Sequence, residues 1–356
     1  MATWPQIEQP TDSGAVARMA APVIVSASRS TDIPAFYAEW FFHRLRRGYS
    51  AWTNPFNGAR SYVSYAKTRF IVFWSKNPRP LLPHLDELEA RGAGCYVQYT
   101  LNDYEDEGLE RGVPSLGERV ETFRALAARL GKGGAVWRFD PLILTDRISV
   151  ADLLRKARGI GDQLCDVCER MVFSYADIGT YRKVKRNLEA GGVAYREWTA
   201  AEMEEFAAGL SAMNAERGWG LELATCGEQI DLARFGVSHS RCIDGDLIVR
   251  RAWRDGELMD FMRVKIETLP PPTLFGVPSL PAGAIALPDG RFFVSTHKKD
   301  PGQRTFCECM AAKDIGEYDT CPHQCEYCYA NTSKRAAQGN WERHKANPWA
   351  ETIAGR

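Results

Sequence analysis

The chain lacks a charge imbalance, a long apolar run and a leader-like start. Its 356 residues include 45 Lys and Arg against 45 Asp and Glu, so the formal net charge is zero. Nucleic-acid-binding domains normally present a basic surface, and we therefore do not expect a nucleic-acid partner. No apolar run approaches the about 20 residues of a membrane span, and the N-terminus has no basic stretch followed by an apolar core. We expect a cytoplasmic protein with no membrane partner.

Core-forming and sulfur-bearing side chains, in contrast, are plentiful. Hydrophobic residues make up 45% of the chain and charged residues 25%, which is typical of a globular protein. The length suits one large α/β barrel or two ordinary domains. Ten cysteines in a reducing compartment indicate ligands, reactive thiols or small buried side chains rather than disulfides.

Short apolar runs alternate with segments of helical spacing in the first two thirds of the chain. The pattern predicts strands at 23–28, 70–75, 96–101, 135–139, 171–175 and 221–225, and helices at 35–47, 80–91, 116–130 and 200–217. Asp32 and Thr199 are suitable helix N-caps. Strands that alternate with helices call for a parallel sheet. We predict an α/β fold, a partial (β/α)6 TIM-like barrel with a C-terminal cysteine-rich extension; a doubly wound open sheet is the alternative.

Changes in composition divide the chain into three parts. Residues 20–253 form the predicted barrel. Residues 254–300 are rich in proline and glycine and are predicted to be a linker or an irregular subdomain. Residues 301–356 carry the cysteine-rich extension, which ends in a predicted short helix with a frayed tail.

The extension contains three cysteines, Cys321, Cys325 and Cys328, at C-x3-C-x2-C spacing, with Tyr327 before the last. Three thiolates can hold three irons of a [4Fe–4S] cluster and leave the fourth open to a small molecule, whereas electron-transfer clusters commonly use four cysteines. The alternative is zinc, which usually takes four Cys or His ligands, with His323 as the fourth. We favour the cluster.

This C-x3-C-x-aromatic-C motif resembles the signature of the radical S-adenosylmethionine (SAM) enzymes. The longer run from Asp314 to Asn331 resembles a narrower family, DUF1848, whose motif of this type lies near the C-terminus. The resemblance implies that a [4Fe–4S] cluster binds and reductively cleaves SAM. A 5′-deoxyadenosyl radical or a 3-amino-3-carboxypropyl radical would then act on a small-molecule substrate. It also implies an electron donor of the flavodoxin or ferredoxin type, and a place for Tyr327 beside the adenine.

Four other cysteines fall at the end of the predicted barrel where chemistry is expected, or just before the triplet. They are Cys226, Cys242, Cys307 and Cys309. Together they could supply four thiolates for a second cluster; the alternative is buried free thiols with a partly occupied zinc site. Cys95, Cys165 and Cys168 precede strands, and we interpret them as structural; for Cys165 and Cys168, whose spacing is C-x2-C, a zinc site or a redox pair is the alternative.

Polar side chains follow several predicted strands. In addition to Tyr327, we assign five of these residues to cofactor binding: Arg29, Lys76, Arg138, Asp140 and Glu228. A SAM carboxylate requires Arg or Lys, and its ribose hydroxyls require oxygen acceptors. For Arg138 and Asp140, which alternation places on one side of a strand, a structural ion pair is the alternative.

Two rival functions remain open. One is a zinc-stabilised binding module on an α/β scaffold, and the other is a non-catalytic redox protein with two clusters. Zinc would leave the protein colourless, and a redox protein would be brown but indifferent to SAM. The radical SAM-type enzyme is the leading hypothesis.

Overall fold

The computed structural model describes residues 4–54, 57–270 and 279–356. Within these ranges the strands, in chain order, are β1 Gln6–Pro10, β2 Val16–Ala20, β3 Ile24–Ala27, β4 Tyr49–Thr53, β5 Arg60–Ser64, β6 Phe70–Ser75, β7 Gly94–Thr100, β8 Ala135–Leu142, β9 Leu144–Thr145, β10 Arg170–Tyr175, β11 Tyr195–Arg196, β12 Glu222–Thr225, β13 Val237–His239, β14 Glu267–Thr268, β15 Ala284–Ala286, β16 Arg291–Val294 and β17 Lys313–Asp314.

The α-helices, in the same order, are α1 Ile33–Phe36, α2 Ala38–Arg47, α3 Leu85–Ala90, α4 Leu116–Leu130, α5 Val150–Leu164, α6 Arg182–Ala190, α7 Ala200–Glu216, α8 Gly245–Ala252, α9 Gly256–Met262 and α10 Lys334–Ala346. Arg79–His84 and Ala233–Phe235 are 3-10 helices. None of these helices is both long and apolar enough to cross a lipid bilayer.

Eight parallel strands form the central sheet, in the order β13-β12-β10-β8-β7-β6-β3-β17. Seven of them follow one another across the sheet in chain order. Right-handed crossovers that always step in one direction place their helices on one face. A doubly wound sheet reverses direction at a switch point. These seven strands do not reverse, and only β17 returns, to the free side of β3.

The two faces of the sheet are buried against different partners. On one face, Ile71, Val97 and Trp137 pack in a core with side chains of α2, α4, α5 and α7. On the other face, Val72 and Tyr96 share a core with α8, α9 and the segment before β17. Burial on both faces explains why the strands read as continuous apolar runs.

The predicted α/β class and its parallel sheet are confirmed. All six predicted strands belong to the sheet, and β13 and β17 are additional. The sheet is not a closed barrel, because its edge strands β13 and β17 each have a single hydrogen-bonded neighbour. A barrel-like curvature stays a prediction.

The helix predictions succeed where capping is clear. The amide of Glu202 donates to Thr199, the N-cap of α7, and helix α4 has the predicted bounds. The predicted helix 35–47 is instead two helices, because Tyr37 leaves helical geometry with φ −128° and ψ 19°. The predicted helix 80–91 begins as a 3-10 helix that contains Pro83.

The last residues are not frayed. Thr352, Ile353 and Ala354 are buried, and Trp40 donates to the carbonyl of Ala350 (2.8 Å). The amide of Ala51 donates to the carbonyl of Glu351 at 2.8 Å. The predicted frayed tail was wrong, because a few side chains of this mostly polar segment, such as Ile353, are buried in the folded protein.

The described residues also form three smaller sheets, one of which is the two-stranded sheet β11-β9. An N-terminal sheet, β1-β2-β5-β4, was not predicted. The proline-rich part contains α9 and the antiparallel sheet β14-β16-β15, so part of it is regular. Residues 271–278 of that part lie outside the described residues. The boundaries of the three predicted domains stay predictions.

Candidate metal and cofactor site

The cysteine triplet (Cys321, Cys325 and Cys328) is attached to the first strands through Asp32. One carboxylate oxygen of Asp32 caps α1 at Ala35 N (3.0 Å) and accepts from Ser75 Oγ (2.7 Å). The other lies 2.8 Å from His323 Nε2 and accepts from Lys76 N at 2.7 Å. Asp32 therefore fixes the triplet's loop to the carboxyl end of β6.

The backbone of the same loop docks against residues 109–112. Gly112 N donates to His323 O at 2.9 Å, and Glu326 N donates to Leu109 O at 2.9 Å. A Cβ at Gly112 would stand 2.5 Å from His323 O, so this contact requires glycine. His323 Nδ1 lies 3.0 Å from Gly112 O. Both ring nitrogens of His323 therefore have polar partners within the protein.

Glu110 is the buried centre of a polar network beside the triplet. Its Oε1 accepts from Lys76 Nζ (2.7 Å), Asn102 Nδ2 (3.1 Å) and the Tyr327 hydroxyl. Its Oε2 accepts from Arg119 Nη1 at 3.4 Å. Burial raises the pKa of Glu110, but Lys76 and Arg119 outweigh it and hold the pKa at about 2. Glu110 is a carboxylate with two cations around it.

The network determines the roles of Tyr327 and Lys76. Tyr327 is buried, its hydroxyl is engaged by Glu110 and Lys76, and its ring packs edge-on against Tyr104. Burial lowers the pKa of Lys76, but Glu110 and Cys325 outweigh it and raise the pKa. Lys76 therefore keeps its positive charge, and it lies between the Glu110 network and the triplet.

The three thiols of the triplet lie at the core boundary. Cys325 is buried, and Cys321 and Cys328 are half-buried. Burial, and then the neighbouring charges of Glu110 and of the other two thiols, raise the pKa of Cys325 well above its usual range. Asn331 Nδ2 donates to Cys321 O (2.8 Å), and Asn187 Nδ2 to Cys328 O (2.8 Å). The loop is therefore held by one residue that follows it, Asn331, and by one residue of α6, Asn187.

In the part of the chain that the structure describes, no three or more His, Cys, Asp and Glu side chains form a ready-made site for a metal ion. A cluster makes a different demand, because each thiolate binds a separate iron. The triplet offers thiols alone, and the buried Oδ1 of Asn331 beside it has no hydrogen-bond partner. This donor chemistry fits a cluster.

The other four predicted thiols converge at a second place, which we call the four-thiol group (Cys226, Cys242, Cys307 and Cys309). The sulfurs of Cys226 and Cys242 are 3.0 Å apart. Cys309 Sγ accepts from the amides of Cys242 (3.2 Å) and Ile243 (3.4 Å). A hydrogen bond with Cys309 lowers the pKa of Cys307 to about 7. The group belongs to the core on the α8 face of the sheet.

Arg138 and Asp140 support the four-thiol group. Arg138 Nη1 donates to Cys242 Sγ (3.1 Å) and Gln98 Oε1 (3.4 Å), and Nη2 pairs with Asp140. Burial lowers the pKa of Arg138, but Asp140 and Cys242 raise it well above its usual range. The two residues form the ion pair of the structural alternative, and that pair lies against a thiol.

Arg29 lies between the two groups of cysteines. Asp314 Oδ2 accepts from Arg29 N at 2.9 Å, and the guanidinium stands 5.3 Å from the Trp74 ring. Burial lowers the pKa of Arg29, but Cys309, Cys242 and Asp314 raise it. The Tyr329 hydroxyl, next in sequence to Cys328, donates to the carbonyl of Arg29.

Glu228 is half-buried and accepts from Tyr175 N at 2.9 Å. Burial raises its pKa to about 7, and the nearby Cys226 and Asp140 act in the same direction. Of the predicted cofactor-binding residues, Glu228, Arg138 and Arg29 lie near the four-thiol group. Tyr327 and Lys76 lie near the triplet, and the charge of Asp140 acts on both Lys76 and Arg138.

Cys95, Cys165 and Cys168 lie elsewhere. Burial raises the pKa of Cys95 and of Cys168 to about 11. Cys168 Sγ donates to Arg170 O at 3.2 Å, and Cys165 ends helix α5. Their structural interpretation stays a prediction.

Sequence reasoning missed Glu110 and Asp314 as functional candidates. Asp314 accepts hydrogen bonds from Ser26 (2.7 Å), Ser28 (2.7 Å) and Arg29 (2.9 Å) and so joins β17 to β3. The only signal in the sequence was its place at the start of the family-like run. Glu110 stands in an irregular segment with no pattern around it.

A family model described as a domain of unknown function (DUF1848) matches residues 24–330. The chain belongs to the DUF1848 family. The matched range runs from β3 past the triplet, so it includes the central sheet and both groups of cysteines. No curated protein and no solved structure matches the chain.

Proposed function

We propose that the protein is a radical SAM-type enzyme. Cys321, Cys325 and Cys328 would hold a [4Fe–4S] cluster at the carboxyl ends of the first strands. The observation that carries the proposal is the attachment of three clustered thiols to the strand ends through Asp32 and Glu110. In parallel α/β folds this end of the sheet is where ligands bind.

The donor set supports a cluster with one open iron. The triplet provides three thiolates, and His323 is already engaged by Asp32 and Gly112. When bound, such a cluster supplies the electron that breaks a carbon–sulfur bond of SAM, at the 5′-deoxyadenosyl or the 3-amino-3-carboxypropyl side. A protein of the flavodoxin or ferredoxin type would reduce the cluster, and a small molecule would be the substrate.

The polypeptide would bind and orient SAM. Lys76 stands near Cys325 as a half-buried cation, held protonated by Glu110. Arg29, whose guanidinium has a single 3.5 Å side-chain hydrogen bond to Gln303, is the better candidate for the SAM carboxylate. Asp140 and Glu228 offer acceptors to ribose hydroxyls. Tyr327 would orient the triplet, because its hydroxyl is taken by protein groups.

The non-catalytic redox protein remains a second candidate, because the four-thiol group gives the chain donors for another cluster. The zinc-stabilised module has less support, since His323 is engaged and the triplet then lacks a fourth ligand. The redox protein and the enzyme differ in their response to SAM.

A cleavage assay tests the enzyme proposal. Protein purified and reconstituted without oxygen is given dithionite and SAM, and the products are separated by liquid chromatography. We expect 5′-deoxyadenosine, or 5′-methylthioadenosine with a homoserine-type product. Cys321→Ser, Cys325→Ser and Cys328→Ser should each abolish the product, and Cys165→Ser should retain it. Intact SAM in every reaction would contradict the proposal and favour the redox protein.

A further inference from the structure

We propose that the four-thiol group is a second metal centre, and that it takes an iron–sulfur cluster held by Cys226, Cys242, Cys307 and Cys309. This goes beyond the proposed function, which requires the triplet alone. The first observation is convergence: three separate segments of chain bring their thiols together on one face of the sheet.

The second observation is the set of donors aimed at the sulfurs. Arg138, which is 6% exposed, places Nη1 3.1 Å from Cys242 Sγ. The amides of Cys242 and Ile243 both point at Cys309 Sγ. A neutral thiol is a weak acceptor, whereas a thiolate is a good partner for buried guanidinium and amide groups. The guanidinium and the two amides therefore stand where they could donate to ligating thiolates.

Four thiolates cannot lie together without cations between them. Arg138 is paired with Asp140, and the charge of Asp314 also acts on Arg29, so the two guanidiniums do not balance four thiolates. Burying unpaired charge is costly. A metal centre that carries positive charge completes the group.

Ligand spacing distinguishes iron–sulfur from zinc. Structural zinc sites commonly take pairs separated by two to four residues. Here residues 227–241 separate one pair, and Glu308 alone separates the other. Four cysteines are the usual ligand set of an iron–sulfur cluster, whose reduction potential depends on nearby charge and on hydrogen bonds to sulfur. Arg29, Arg138 and the two amides supply both.

The test counts metal in variants that keep one group of cysteines at a time. One variant replaces Cys321, Cys325 and Cys328 by serine and keeps the four-thiol group. A second replaces the four-thiol group and keeps the triplet, and Cys165→Ser is the control. Each is reconstituted without oxygen, checked for folding by circular dichroism, and analysed for iron, zinc and sulfide.

We expect the variant that lacks the triplet to retain roughly two to four irons per chain, with sulfide to match. Iron-free protein, or one zinc with no sulfide, would overturn the proposal. The variant that lacks the four-thiol group tests the triplet separately, so a failure of the proposed function gives a different result. If that variant does not fold, the single change Cys307→Ser, at a half-buried position, should still lower the iron content of the first variant.

A second measurement tests whether the positive charge of Arg29 acts on this cluster. In the variant without the triplet, Arg29→Gln removes a positive charge near Cys309 and Cys242. The reduced cluster is then less stabilised, and its reduction potential should become more negative. Arg29→Lys should restore most of the potential. An equal potential in all three proteins would contradict a cluster beside Arg29.

Discussion

Replacing Glu110 by Gln tests how the triplet is held. The change preserves shape and an acceptor for the Tyr327 hydroxyl but removes the charge that pairs Lys76 and Arg119. The side chain of Glu110 is 1% exposed, that of Arg119 1% and that of Lys76 16%. The substitution therefore leaves the buried Arg119 and the half-buried Lys76 without their shared carboxylate.

Breaking a buried pair by removing one partner costs on the order of 3–5 kcal/mol, because the remaining charge is uncompensated. Two remaining cations place Glu110→Gln in that range. The matched control is Glu87→Gln, whose carboxylate pairs with Arg46 at 2.7 Å on the surface, with side-chain exposures of 31% and 50%. An exposed pair is worth about 0–1 kcal/mol.

Urea unfolding of iron-free protein at neutral pH measures both free energies, with the slope checked for a change in the denatured state. Reactivity of the thiols with a chromogenic disulfide gives a second readout, because Tyr327 and Lys76 lose their shared partner. We expect faster labelling of the triplet in Glu110→Gln and unchanged labelling in Glu87→Gln.

A double-mutant cycle completes the argument. Lys76→Met removes one of the two uncompensated cations, so it should cost less in the Glu110→Gln background than in the native one, by about 1 kcal/mol or more. Equal destabilisation by Glu110→Gln and Glu87→Gln, with no coupling to Lys76, would refute the account of this network.

Three further predictions follow from single contacts. Gly112→Ala should lower the free energy of unfolding by about 1–3 kcal/mol and lower the iron content of reconstituted protein, because the new Cβ would stand 2.5 Å from the backbone of the triplet's loop. The control Gly159→Ala, whose Cβ would meet nothing within 4 Å, should lower neither quantity. Burial raises the pKa of Asp12, but hydrogen bonds from Arg44, Arg47 and Tyr49 outweigh it and lower the pKa to about 2. As the pH is lowered from about 4 to 2, the protein should therefore lose stability, and the urea midpoint of Asp12→Asn should decrease less than that of the native protein. Equal decreases in the two midpoints would contradict this. Ser149→Ala removes the N-cap of α5 and should cost about 1 kcal/mol by urea unfolding, whereas an unchanged midpoint would show that the cap is dispensable.

The sequence predicted the central sheet well because each strand is buried on both faces. Val72 and Phe73 face opposite cores, so the run reads as continuous apolar residues and the alternation with helices gives the parallel order. Helix α7 was placed by Thr199, whose cap has a clear sequence signature. Strand β17 has two residues and depends on pairing with β3, a contact that local sequence does not encode.

The candidate site was predictable only in part. Cysteines are chemically distinctive, and strand order placed Cys226 and Cys242 at one end of the sheet. Glu110 and Asp314 were not predicted, since their importance comes from partners far away in sequence, Lys76 and Ser26 among them. The polar tail was misjudged because the burial of Ile353 depends on tertiary contacts rather than on composition.

The most direct test of the central claim is the electron paramagnetic resonance spectrum of the dithionite-reduced native protein, recorded with and without SAM. If SAM binds the open iron of a cluster on Cys321, Cys325 and Cys328, its addition should change the g values of the reduced cluster. The change should be absent in Cys328→Ser and present in Cys165→Ser. A cluster signal that saturating SAM leaves unaltered would contradict the claim.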